Sequence, residues 1–75
     1  MDATRETLLH LIERPTLAWV ERLQRQGREV NAPRVAALVV AVLCRQVSDA
    51  RAHRDALVGD LTRFVGEILA TSQSG

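Results

Sequence analysis

The side chains able to hold a metal ion, move a proton or attack an electrophile are few in this chain, and they stand apart. Neither His10 nor His53 has a second histidine three or four residues away. That spacing is what lets one helix face present two imidazoles to a metal. Asp49 precedes His53 by four residues, so on a helix the two would meet. An isolated pair of this kind is more often a plain surface contact than a catalytic dyad. Cys44 is the single cysteine, which excludes an internal disulfide and a cysteine-rich zinc site. Its setting in an apolar run is that of a small buried hydrophobe. No nucleophile has a positioned base, and the glycines are dispersed rather than gathered into a phosphate-cradling loop. A concave site needs roughly 300 Å³ or more, and a chain this short offers little room for one. The expectation is a protein that is not an enzyme and carries no metal or cofactor.

The arginines are the other candidates. Every basic side chain is Arg, with no Lys, and the formal net charge is only +1. Such a balance gives no global drive toward nucleic acid. Arg22, Arg25 and Arg28 form a local cluster diluted by Glu21 and Glu29. The plain account is a helix end whose cations favour the negative pole of the dipole. The functional account is contact with a phosphate or an acidic partner. A helix ending at Gln26-Gly27 and another opening at Asn31 loosely fit a helix-turn-helix. Ser48–Arg54 would then begin a recognition helix, with Arg51, His53 and Arg54 facing DNA. Against this, Asp49 and Asp55 would face phosphates, and the turn after Leu43 would have to form without glycine.

These residues depend on helices that the apolar pattern defines. Val35–Cys44 is uncharged throughout and bounded by Arg34 and Arg45. A helix here is apolar all round and needs cover on every side. The run is far short of the roughly 20 residues a membrane span requires. Met1–Glu6 is polar and of mixed charge, unlike a secretory leader. Asn31 is a strong N-cap and Pro33 falls in the first turn, so the central helix starts there. Before it, Asp2 or Thr4 can cap a first helix, with Leu8, Leu11 and Ile12 on one face and Leu9 widening it. Pro15 ends or kinks that helix and opens a second. Leu17, Val20 and Leu23, with Trp19 to one side, give the second an apolar face, and Gly27 stops it.

Beyond Pro33 no Gly or Pro occurs until Gly59. One register of alternating four- and three-residue spacings runs through Ala36, Val40, Leu43, Val47, Ala50, Arg54, Leu57, Leu61, Phe64 and Ile68, with Arg54 its sole polar member. Sustained spacing of this kind is the coiled-coil pattern. A straight helix from Ala32 to Ala70 would be nearly 60 Å long, at about 1.5 Å per residue. That is about twice the span of a compact monomer of this size, whose radius of gyration is about 11 Å. Either the helix breaks near Ser48-Asp49 and folds back, or it stays long and another chain covers it; the unbroken register favours the long helix. On its far side Ala52, Ala56, Gly59, Gly66 and Ala70 form a small-residue face, read as weakly specified solvent surface.

The expectation is therefore an all-α protein: a small helical bundle of two short N-terminal helices and a long C-terminal helix, bent or broken, completed by oligomerisation. Residues 1–70 make the single domain and residues 71–75 a disordered tail. The function expected is a small helical protein–protein interaction module that self-associates, as a dimer first of all, or clasps a partner helix. Contact would run through Val40, Leu43, Val47, Leu57, Leu61, Phe64 and Ile68. A DNA-binding regulator using Arg51, His53 and Arg54 is the alternative. Membrane-surface binding is disfavoured by Asp60 and Glu67 beside the apolar face. Location in a bacterial cytoplasm fits the arginine-rich, cysteine-poor composition.

Overall fold

The computed structural model of the protein describes residues 3–73, nearly all of them helical. Three helices follow in order: α1 (Thr4–Arg25), α2 (Ala32–Gln46) and α3 (Arg54–Gln73), with a 3₁₀ turn (Ser48–His53) between α2 and α3. The result is the expected all-α bundle, with no strand among the described residues. Its radius of gyration is 12.5 Å and its longest dimension 38 Å.

The first correction is at Pro15. α1 is one helix of 22 residues that runs through the proline, not two short helices. Proline in a helix interior removes one i→i−4 bond and costs about 3 kcal/mol. Two features offset this cost. Pro15 lies on an exposed face, where the carbonyl it leaves without an amide partner has access to water. The inner face also continues across it without interruption, since Leu8, Ile12, Thr16 and Val20 are all buried. Thr16 is the buried polar member, and its hydroxyl donates to the Ile12 carbonyl at 2.6 Å. At the start of α1 the N-cap is Ala3, with no side-chain cap, so Thr4 does not have that role; Asp2 lies outside the described residues.

The stop at Gly27 holds as expected. Gly27 has φ +70°, a left-handed conformation that glycine adopts without steric cost. Its amide donates to the Gln24 carbonyl at 3.0 Å, and the Arg28 amide donates to Leu23 at 2.9 Å. These two bonds are the Schellman pair that satisfies the last carbonyls of a helix. The start of α2 also holds: Asn31 Oδ1 accepts from the Arg34 amide at 3.1 Å, and Pro33 lies in the first turn.

The second correction is the break after α2. Val47 adopts an extended conformation, φ −126° and ψ 106°, and ends the helix. The chain turns through the 3₁₀ segment and returns as α3, so the long helix does not form. No glycine is needed, because the corner is closed by other means. Ala50 is fully buried there, and the Ala50 amide donates to Val47 at 3.0 Å. Arg51 Nε reaches back to the Cys44 carbonyl at 3.4 Å, one of the four acceptors that a helix end leaves open. The apolar register is real, but it marks the inside of a hairpin rather than the seam of a coiled coil. Burying Leu57 and Leu61 against Ala36, Val40 and Leu43 within one chain covers the surface that a second chain would have had to cover.

α3 is the element both others pack against, while α1 and α2 approach each other least. Leu57, Leu61 and Val65 are fully buried along its inner line. Leu8, Ile12, Ala36, Val40, Leu43 and Cys44 surround the first two of these. Val20 and Val35 close on Val65 at the other end. The small-residue face is solvent surface: a Cβ added at Gly59 or Gly66 would meet nothing within 4 Å. α3 continues to Gln73, into the segment expected as a tail; residues 74 and 75 lie outside the described residues.

Candidate functional site

Because α1 and α2 both lean on α3, their own seam stays open and forms an apolar groove of about 540 Å³. The helices run antiparallel, joined by the short segment after Gly27. Leu11, Pro15 and Trp19 make the α1 wall; Leu38, Val42 and Gln46 make the α2 wall. Ile12, Val39, Leu43 and Val47 complete the lining. Trp19 and Leu38 also border a second, more polar depression, lined by Leu23, Val35, Arg28, Glu29, Asn31 and Arg34. Leu11 is 59% exposed, Leu38 49% and Val42 53%. Exposed aliphatic side chains gathered on one concavity mark a candidate binding surface.

Local sequence accounts for both walls. α2 is apolar all round, but α3 and α1 cover only part of its circumference. Leu38 and Val42, one turn apart, fall on the uncovered part. On α1 the buried residues recur every four positions, which drifts about 40° per step around a helix of 3.6 residues per turn. Leu11 therefore falls outside the buried arc, although sequence spacing grouped it with Leu8 and Ile12. The signal that could have located the groove was present in the uncharged stretch itself, since three packed helices cannot surround one of their own members.

The seven positions expected to contact a partner do not form an open strip. Val40, Leu57 and Leu61 are fully buried and Leu43 nearly so, all in the chain's own core. Val47, Phe64 and Ile68 are half-buried and pack against that core. The break at Val47 is what turns these positions onto the chain's own core. Only Leu43 and Val47 touch the groove.

Arg51, His53 and Arg54 do not sit on an α-helical recognition face either. They lie at the α2–α3 corner, where Arg51 bonds the α2 terminus, His53 is half-buried and Arg54 opens α3. With Arg5 they line a shallow depression that also holds Asp55. His10 is exposed and its Nδ1 lies 3.6 Å from Glu13. Cys44 is buried and reduced, as its apolar neighbours suggested. Among the described residues no three His, Cys, Asp or Glu side chains converge as a metal site would require. No helix among the described residues is long and apolar enough to cross a membrane. No protein-family model matches the chain, nor does any curated protein or solved structure.

Proposed function

We propose that this protein is a small helical interaction module that receives an amphipathic helix of a partner protein in the groove between α1 and α2. One observation carries the reading: Leu11, Leu38 and Val42 are large, exposed and adjacent, on the rims of a concavity whose lining is almost entirely apolar. From Leu11 in the groove to Leu23 in the adjoining depression, the α1 side spans about 18 Å at 1.5 Å per residue. That accommodates about three turns of a docked helix, whose anchors would recur at i, i+3, i+4 and i+7.

The test is selection of groove-binding helices from a displayed library of amphipathic peptides. Wild-type protein is the bait, and a Leu38→Glu/Val42→Glu variant is the counter-bait. Both substituted positions are exposed, so circular dichroism should show the variant folded. Peptides enriched on the wild type and lost on the variant are the expected result. Peptides that bind both proteins equally, or no enrichment at all, would remove the reading. Light scattering of the protein alone runs beside it, and a monomer is expected.

A further inference from the structure

The groove's rim is basic, and from this we infer that the partner helix is acidic on the flanks of its apolar stripe; the inference rests on the groove being the binding site. On α2 the only charged residues are Arg34 and Arg45. Arg34 lies one turn before Leu38 and Arg45 one turn after Val42, so both border the α2 wall. On α1, Arg22 lies one turn beyond Trp19, and Arg28 lines the adjoining depression beyond it. All four are exposed. The ion pairs Arg5–Asp60 and His10–Glu13 involve none of them.

Acidic side chains lie elsewhere. Glu6, Glu13, Asp60 and Glu67 line a depression on the α1–α3 side, with Arg5 and Arg63 among them, and Glu21 and Glu67 line its neighbour. Glu29 is the single acidic residue lining the groove or the adjoining depression. Net charge hides this division, because the two faces nearly cancel.

Helix dipoles account for part of the rim but not all of it. Arg22 and Arg45 stand in last turns, where a cation is favoured without any partner. Arg34 stands in the first turn of α2, at the positive pole, where the dipole disfavours it. No acidic residue balances it in that turn. A carboxylate supplied by a docked helix would.

The same charges argue against a second copy of this chain as the occupant. Two grooves meeting face to face would bring arginine rims together, and like charges at an interface penalise the pairing.

The experiment uses two labelled helical peptides with one leucine stripe, flanked in one by Glu and in the other by Lys. Affinities are read by fluorescence anisotropy at low and high salt. The Glu peptide should bind about tenfold more tightly at low salt, an advantage that shrinks as salt screens the rim. Arg34→Glu/Arg45→Glu should invert the preference, and both positions are exposed. Equal binding of both peptides to wild type, lost in Leu38→Glu/Val42→Glu, would overturn the charge inference and leave the groove reading standing. Binding of neither peptide would overturn both. A doubled molar mass abolished by Leu38→Glu/Val42→Glu would show the groove filled by a second copy and would overturn the acidic partner.

Discussion

Replacing Leu57 by alanine should destabilise the isolated protein severely, whereas the same change at Leu38 should cost several-fold less. Leu57 is fully buried on the line of α3 that both other helices pack against. Truncation of such a leucine removes its transfer free energy and leaves a cavity, at a cost of about 3–5 kcal/mol. A domain of this size has about 4–11 kcal/mol of stability in total, at 0.05–0.15 kcal/mol per residue. Leu38 is 49% exposed, so its truncation forfeits about half of a leucine's 1.5–3 kcal/mol of burial and leaves no closed cavity. A slightly better helix propensity returns a little of that, for a net cost of about 1 kcal/mol. Urea unfolding followed by circular dichroism separates the two. With a slope of about 1 kcal/mol per molar, the midpoint should fall by about 3–5 M for Leu57→Ala and by about 1 M for Leu38→Ala. Both transitions should be independent of protein concentration, because the core lies within one chain. Similar midpoints for the two variants would refute the fold-back of α3. So would a Leu57→Ala transition that moved with concentration, since a long α2–α3 helix buried by a partner chain predicts that behaviour.

The glycines give predictions of opposite sign. Gly59→Ala and Gly66→Ala should each raise the melting temperature by about 4–8 °C, because alanine is worth about 1 kcal/mol over glycine in a helix interior and a Cβ there meets nothing within 4 Å. A fall at either position would mean that the α3 outer face is closely approached in solution. Gly27→Ala should lower stability by about 1–2 kcal/mol, because its φ of +70° places a Cβ against the backbone; an unchanged urea midpoint would contradict the Schellman ending of α1. Pro15→Ala should stabilise by about 2 kcal/mol, the regained helical bond less the added freedom of the unfolded chain. A destabilised variant would show that α1 depends on its proline.

Local chemistry was the most legible part of the fold. Asn31, Pro33 and Gly27 act through atoms within a few residues of themselves, so their effects could be read directly from the chain. Pro15 was misread because its local cost was weighed without the packing that outweighs it: four buried residues on either side of it along α1 hold the helix through the proline. The corner at Val47 was illegible for a different reason. The register through Val47 and Ala50 is the same whether the chain continues or folds back, because a 3₁₀ turn can return Ala50 to the inside. Spacing reports which residues are covered, and it is silent on which chain covers them. The groove was hidden by the same ambiguity. A helix apolar all round was recognised as needing cover, but the uncovered side could be assigned only once α3 had been placed.

The arrangement gives α3 and the α1–α2 seam different parts in the proposed mechanism. Because α1 and α2 contact each other less than either contacts α3, the seam carries the smaller share of the packing. Exposed aliphatic residues would also make copies of the protein stick to one another, and the arginine rim opposes that. Arg34 and Arg45 would then act twice, repelling an identical groove and attracting a carboxylate-flanked helix. The two roles separate experimentally. Neutralising the rim with Arg34→Gln/Arg45→Gln should weaken binding of the Glu-flanked peptide and also raise the tendency of the free protein to associate. Loss of peptide affinity with no change in self-association would leave recognition as the only role of these charges.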